Sequence, residues 1–405
     1  MSTTFAYRVR DRSGKIVSGT IEADSQQAVV GRLREMGYAP LNISQQSRNV
    51  GQMEIKLPWS GKIKPRDIAV LSRQFAVMIN SGLSLLRALN ILAEQTENPS
   101  LRAVLGEVRS DVERGQSLSQ ALQKHPKAFN KLYIAMVKSG ESSGALDATL
   151  NRMADTLEKE VALRQKIKSA MTYPVAIFGL VVLIVTAMLM FVVPMFEDLY
   201  KDLGGTLPLP TRALIGLSNL IKTFWFIWFG GLFAASWAFK RWKATGPGQA
   251  AWDRIKLRLP IFGGLVHKTA LSRFARTLAA LLRSGVPILQ GLDIVKDTVN
   301  NEVVAHAVSE VQSSVKEGAS IAKPLEKHAV FPPMVVQMMM VGEETGALDH
   351  MLEKIADFYD QEIDATVDAM TSLIEPLLIV VMGAAVGGMV VALYMPMFNI
   401  INLIQ

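Results

Sequence analysis

The chain has no cysteine and only five histidines among its 405 residues. Without cysteine there can be no disulfide framework, no thiolate zinc site and no cysteine nucleophile. The histidines are scattered and show no metal-ligand spacing: His125, His267, His306, His328 and His350. The phosphate-binding pattern Gly-x-x-x-x-Gly-Lys-Ser/Thr and the zinc pattern His-Glu-x-x-His are also absent. We therefore predict no catalytic residue, no metal and no cofactor, and a protein that is not an enzyme.

Charged side chains are missing from two long stretches, residues 175–193 and 377–395. A helix of 19 residues is about 28 Å long, close to the roughly 30 Å hydrocarbon core of a bilayer. The alternative is a buried helix of a large soluble protein, but such helices seldom stay apolar on all sides for this length. Both stretches are bracketed by prolines: Pro174, Pro194, Pro376 and Pro396. A leading proline suits the first turn of a helix, so we predict transmembrane helices at 174–196 and 374–398.

A third apolar stretch, residues 212–240, lies between these two and contains Lys222 in its first half. Basic residues precede the first span and follow this one, whereas the loop 197–211 carries mainly acidic charges. The positive-inside rule then places that loop in the periplasm and the basic flanks in the cytoplasm. The polar N-terminus shows no cleavable signal peptide, so we expect it in the cytoplasm and residues 399–405 in the periplasm.

The formal net charge of +7 has two readings, nucleic-acid binding or a basic membrane flank. The basic residues are dispersed among acidic ones rather than gathered in one patch. The membrane flank explains this distribution better. We therefore predict a lipid bilayer, and no nucleic acid, as a partner.

Much of the chain occurs twice. Arg276 lies 203 residues after Arg73, and Gly342 lies 202 residues after Gly140. A register held over this distance indicates an internal duplication. Because the duplication makes the two helical regions equivalent, both should lie on the same side of the membrane.

Turn residues divide the rest of the chain. Residues 1–45 alternate between polar and apolar around one amphipathic helix, which predicts a small α+β module in the order ββαβ, and residues 46–64 are a polar linker. Residues 65–171 and 241–370 contain amphipathic helices separated by glycine and proline. The prediction is an all-α membrane protein with two homologous cytoplasmic six-helix bundles, three transmembrane helices and the N-terminal module.

Each copy of the repeat contains a glycine-rich turn before its long helix. The structural interpretation makes Gly140 and Gly342 left-handed residues that end one helix, while Ser143 and Thr345 cap the next. The glycines and bracketing prolines are the predicted structural motif: Gly140, Gly144, Pro174, Pro194, Gly342, Gly346, Pro376 and Pro396. That interpretation gives no structural duty to the glutamate in either turn.

Three glutamates are therefore candidate partner contacts: Glu141, Glu343 and Glu375. For the first two, the alternative is a solvated turn charge. Glu375 precedes the last apolar stretch, and its alternative is an interfacial carboxylate facing headgroups or water. The glycines Gly383 and Gly387 in that stretch form a G-x-x-x-G pair, which permits close approach of helices and predicts a homo-oligomer; lipid-facing flexibility is the alternative.

These residues resemble the PilC/GspF family, the inner-membrane platform proteins of type IV pilus and type II secretion machines. The resemblance is carried by residues 166–174 (KIKSAMTYP), 373–376 (LIEP) and 392–398 (ALYMPMF), together with the duplication and both Gly-Glu turns. The second copy departs from the membrane-proximal motif, since Asp368 replaces a basic residue and Glu375 replaces the tyrosine.

The resemblance implies a multi-pass protein of the bacterial inner membrane that is a non-enzymatic platform. It implies four kinds of protein partner, namely a cytoplasmic hexameric assembly ATPase, pilin subunits, inner-membrane alignment proteins and other copies of the chain. Type IV pilus assembly is the main expectation, and the F-type platform of a type II secretion system is the alternative. A transporter or channel is more remote, because spans one and three lack the polar or broken segments that line transport pathways.

Overall fold

The computed structural model describes residues 3–10, 16–23, 26–45, 61–202, 208–260 and 262–401. Most of the predicted linker, part of the predicted periplasmic loop and the last four residues lie outside this description. The chain divides into two compact units, Met1–Lys62 and Ile63–Gln405.

The first unit contains a three-stranded antiparallel sheet and one helix. Its elements, in chain order, are β1 Thr3–Arg10, β2 Ile16–Ala23, α1 Gln26–Glu35 and β3 Ala39–Gln45. The sheet order is β2-β1-β3, with β1 in the centre. Val9 of the central strand and Val29 and Leu33 of the helix are buried together, because alternate strand residues and one helix face point to the same core.

The second unit begins with six helices. They are α2 Pro65–Asn80, α3 Leu85–Gln95, α4 Pro99–Glu113, α5 Leu118–Gln123, α6 Lys131–Ser143 and α7 Leu146–Ala187. The caps follow from the sequence, since the side chains of Asn98, Ser117 and Asn130 accept backbone N–H groups at the starts of α4, α5 and α6. We call these six helices the first bundle, up to the apolar half of α7.

The same plan recurs later in the unit. The helices are α12 Phe262–Arg283, α13 Ile288–Thr298, α14 Glu302–Lys316, α15 Ala322–Leu325, α16 Pro333–Thr345 and α17 Leu348–Ile401. We call these the second bundle, up to the apolar half of α17. One continuous hydrophobic core joins the two bundles, so each bundle covers apolar surface of the other.

The two longest helices run without a break from a bundle into an apolar segment. At 1.5 Å per residue, the 42 residues of α7 span about 63 Å and the 54 residues of α17 about 81 Å. The expected helix start at Pro174 and Pro376 is therefore wrong, because both prolines lie inside a helix. Each removes one backbone hydrogen bond, a loss that membrane helices tolerate when neighbouring groups satisfy the freed carbonyl.

The other bracketing prolines behave differently from each other. A π-helical segment, Met188–Val192, separates α7 from α8 Val193–Asp202, and Pro194 lies at the start of α8. The wider π turn makes room for a ring that would clash with the carbonyl group one turn earlier. Pro396 lies within α17, which stays α-helical around it.

The middle apolar stretch is also divided. It forms α9 Leu209–Thr223 and α10 Trp225–Lys243, which meet at Phe224 (φ −111°, ψ 21°), so the prediction of one helix over 212–240 is wrong. A further helix, α11 Gly246–Arg258, leads to the second bundle. By length and composition, two helices of the described residues could cross a membrane, Leu146–Asp198 and Leu348–Met395.

Candidate functional site at the junction of the bundles

The glycine-rich turns have the same geometry in both copies. Helix α6 ends at Gly144 and α16 ends at Gly346, each with φ of 70°. The expectation that Gly140 and Gly342 are the left-handed residues is therefore wrong by one helical turn. The hydroxyls expected to cap the next helix bond backwards instead, since Ser143 donates to the carbonyl of Ser139. Helix-interior hydroxyls often do so, because the carbonyl four residues earlier is within reach.

Gly140 and Gly342 serve a different purpose, close helix packing. Both are buried in the last turns of α6 and α16. A Cβ at Gly140 would lie 2.8 Å from Oγ1 of Thr149 and 3.2 Å from Cα of Leu146. A Cβ at Gly342 would lie 3.0 Å from Cα of Leu348. The missing side chain lets each short helix contact the first turn of the long helix that follows.

Glu141 and Glu343 cap helices that lie far from them in sequence. Glu141 accepts the backbone N–H of Ser119 at 3.0 Å, and also that of Leu118, at the start of α5. Glu343 accepts the N–H of Ile321 at 2.9 Å, where α15 begins. A carboxylate there satisfies orphan donors and the positive end of the helix. The expectation of no structural duty is wrong, whereas a partner contact at these residues stays a prediction.

An arginine-centred ion cluster recurs in each bundle. Arg73 donates to Glu158 through two bonds of 2.8 and 2.7 Å, and it also contacts Asp155. The hydrogen bond from Arg73 lowers the pKa of Glu158 below its usual value. In the second bundle, Arg276 donates to Asp360 at 2.6 Å and lies 3.7 Å from Asp357. Both clusters fix the first helix of a bundle to its long last helix.

Two ion pairs join the long helices across the junction. Nζ of Lys159 lies 3.1 Å from Asp357, and Nζ of Lys166 lies 2.7 Å from Asp364. Since each helix advances seven residues between the two pairs, α7 and α17 run side by side in the same direction. The sequence does not predict this pairing, because lysines at this spacing are common on exposed helices.

The junction continues along α6, α12 and α13. Ser139 donates to the carbonyl of Ser284, and Arg152 donates to the carbonyl of Arg283. Lys131 pairs with Asp297 at 2.5 Å. Between the bundles lies a cleft of about 320 Å³, lined by charged side chains and by small residues of α12. These contacts can hold two bundles in a fixed relation and pass displacement from one to the other.

The third candidate glutamate lies away from the junction. Glu375 is exposed and immediately precedes Pro376 in the interior of α17. Beyond it, a Cβ added at Gly383 or Gly387 would meet no atom within 4 Å, so that helix face is open. The partner contacts predicted for Glu375 and for this glycine pair stay predictions.

Comparison with known proteins places these features in a family. Residues 71–194 and 274–396 each match "Type II secretion system (T2SS), protein F", and residues 1–44 match the N-terminal domain of that protein. The chain is 44% identical to type IV pilus assembly protein PilC of Thermus thermophilus over 98% of both chains. It is 41% identical to PilC of Myxococcus xanthus (99% of this chain, 96% of the relative) and 35% identical to type II secretion system protein F of Pseudomonas aeruginosa (99% of both).

Proposed function

Since this chain belongs to the type II secretion system protein F family, we propose that it is a non-enzymatic inner-membrane platform of a type IV pilus assembly machine. In this role it couples a cytoplasmic hexameric ATPase to the polymerisation of pilin subunits, next to the machine's inner-membrane alignment proteins. The greater similarity to the pilus relatives supports this choice. The secretion relative keeps the F-type platform of a secretion system as the second candidate.

One observation carries the proposal, the continuity of α7 and α17. Each helix is part of a bundle core at its start and of an apolar segment at its end. The ion pairs of Lys159 and Lys166 hold the two helices side by side. Displacement of a bundle by the ATPase therefore reaches the membrane through two paired, continuous helices, α7 and α17, without a flexible linker. The bundles receive the motion, and the apolar segments deliver it to pilins in the bilayer.

We further propose three transmembrane segments with the boundaries inferred from the sequence, 174–196, 212–240 and 374–398. The packing of α9 supports the inclusion of the middle segment among the transmembrane segments. Thr211 of α9 donates to the carbonyl of Ala392 in α17, and Ser218 donates to the carbonyl of Leu189. Buried apolar side chains of α9 and α17 share one cluster with the π-helical segment. Basic residues at the end of α10 favour a cytoplasmic position for it.

Single cysteines in this cysteine-free chain test that topology. Lys201→Cys and Asn402→Cys should react with a membrane-impermeant maleimide in intact spheroplasts; Asn402 lies outside the described residues. Ser44→Cys and Ala250→Cys should react only after lysis, because positive-inside reasoning places them in the cytoplasm. The unaltered chain gives the background. Labelling of Ala250→Cys before lysis would contradict the three-segment proposal.

Glycine pairs that interrupt α7 and α17 test the platform function itself. Lys168→Gly with Ser169→Gly in α7, and Asp368→Gly with Ala369→Gly in α17, should abolish surface filaments in a host lacking its own copy. These positions are exposed and lie between bundle and apolar segment. Each glycine costs about 0.5–1 kcal/mol of local helix stability relative to alanine. This cost is enough to make the long helix bend locally without unfolding its bundle.

The matched control places alanine at the same positions, Lys168→Ala, Ser169→Ala and Asp368→Ala. It should assemble filaments at the unaltered level, measured by electron microscopy and by sheared surface pilin. Immunoblots of membrane fractions should show equal amounts of both variants. Filament numbers at the unaltered level in the glycine variant would refute coupling through these helices.

A further inference from the structure

The two bundles meet through different faces, although they are repeats of one another. The first bundle uses the α6–α7 face, which includes Ser139, Arg152 and Thr156. The second bundle uses the α12–α13 face, which includes Ala280 and Ser284, together with the side of α17 that carries Asp357. Such a contact is head-to-tail, and it uses each kind of face once. By the repeat, each bundle also carries the face that it does not use here.

The first unused face belongs to the first bundle, on α2 and α3. Its positions Val77 and Ser81 correspond to Ala280 and Ser284 at the offset of 203 residues. Ala280 and Ser284 are only 8% and 7% exposed, whereas Val77 is 54% exposed. Val70, one heptad earlier on α2, is also exposed. The same kind of surface is thus covered in one bundle and open in the other.

The second unused face belongs to the second bundle, on α16 and α17. Val341 and Phe358 correspond to Ser139 and Thr156 at the offset of 202 residues. Val341 is 50% exposed and Phe358 is 40% exposed. Lys354, one turn before Phe358 on α17, is exposed as well, so the two residues form one stripe along the helix.

The unused faces differ from the used ones in a consistent direction. Serine and threonine on the used α6–α7 face become valine and phenylalanine on its unused counterpart. Alanine on the used α12–α13 face becomes valine on its counterpart. Single exposed apolar residues need no explanation, but here they occur on two faces whose counterparts bind each other. Burying them together would remove apolar surface from water on both sides.

We propose that the α16–α17 face of one chain docks on the α2–α3 face of a second copy, repeating the junction between chains. Phe358 then packs beside Val77 of the neighbour, and Val341 lies against Ser81. Lys354 corresponds to Arg152, which donates to the carbonyl of Arg283. In the contact between copies, Lys354 therefore donates to the carbonyl of Asn80, the equivalent of Arg283.

The direction of the long helices determines what this contact builds. A head-to-tail contact gives a ring if its rotation closes and an open filament if it also translates. Helices α7 and α17 run in the same direction. The next step rests on the proposed membrane role, because a bilayer holds every copy at the same depth. The operation is then a rotation about the membrane normal, and the assembly is a closed ring of chains.

Thiol cross-linking of the full-length chain in nanodiscs tests the contact. A variant with both Ser81→Cys and Val341→Cys, treated with a short bis-maleimide, should form covalent species at multiples of the monomer mass, ending at the ring. Neither single variant should form covalent dimers, because the contact joins unlike faces. Ser139→Cys with Ser284→Cys should cross-link within one chain and stay at monomer mass.

The second measurement uses variants that place a negative charge on each of the two unused faces. Val77→Glu with Phe358→Glu should reduce that cross-linking at least tenfold and lower the mass from light scattering to that of one chain. Gln120→Glu with Lys323→Glu, an equivalent exposed pair on α5 and α15, should change neither. Monomer mass throughout, or dimers from a single-cysteine variant, would overturn the proposal. Filament assembly by a chain that fails to cross-link would leave the platform function standing and reject only this contact.

Discussion

Replacing Gly140 or Gly342 with alanine should destabilise its bundle by about 3 kcal/mol, at the upper end of the cost of inserting a methyl group into a packed interior. The added Cβ would meet backbone of the following long helix, at 3.2 Å for Gly140 and 3.0 Å for Gly342. Backbone cannot rotate away as the end of a flexible side chain can. The helices must therefore separate, and the turn that positions each glutamate moves with them.

The effect should be measured as a lower midpoint temperature in circular dichroism of the purified protein. Gly106→Ala is the matched control, because Gly106 lies inside α4 with no atom within 4 Å of an added Cβ. There the same substitution should be neutral or stabilise by up to about 1 kcal/mol, since alanine is the better helix former. Equal midpoint temperatures for Gly140→Ala and Gly106→Ala would show that the close approach of the two helices at Gly140 does not contribute to the free energy of unfolding.

The second large effect is expected at the glutamate caps. Glu141→Ala with Glu343→Ala should cost about 1.5–3 kcal/mol at each site, the usual range for hydrogen bonds to a charged group. The lower end applies, because both side chains are only partly buried. The midpoint temperature of thermal unfolding should be lower for this variant than for the unaltered chain. Glu344→Ala, at the exposed neighbouring position, should change stability by less than about 0.5 kcal/mol.

Glutamine separates the cap from the predicted partner contact. Glu141→Gln with Glu343→Gln keeps an oxygen acceptor for the helix N–H groups but removes the charge. If stability is largely retained while ATPase recruitment and filament assembly fail, the carboxylates also contact a partner. Normal assembly would restrict both residues to capping. Arginine at these positions is a poor test, because it would remove the hydrogen bonds along with the charge.

The repeat and the helix order could be predicted from the sequence because their signals are local. Glycine at Gly82 and Gly115, and caps such as Asn98, act within a few residues of themselves. The register between Gly140 and Gly342 is equally plain, because the same run of residues, Gly-Ala-Leu-Asp, follows both glycines at the same distance. Local chemistry of this kind needs no knowledge of the fold.

The features that the sequence does not predict depend on distant partners or on the apolar surroundings. Glu141 meets Ser119, 22 residues away, and no spacing rule marks such a pair. Pro174 ends a helix in most aqueous contexts, but here the long helix continues through it. Neither glycine nor proline lies at Phe224, where the middle stretch divides, so the sequence contains no signal that a helix ends there.

Covalent linkage explains why the junction within the chain can use small and polar side chains beside the hydrophobic core that joins the two bundles. Two bundles on one polypeptide meet at an effective concentration set by the segment between them, so even weak contacts keep them together. Serine, threonine and exposed ion pairs are sufficient under that condition. Two bundles on separate chains have no such advantage and need more favourable contacts per unit area. Val77 and Phe358 therefore supply exposed apolar surface at the positions where the junction within the chain has Ala280 and Thr156.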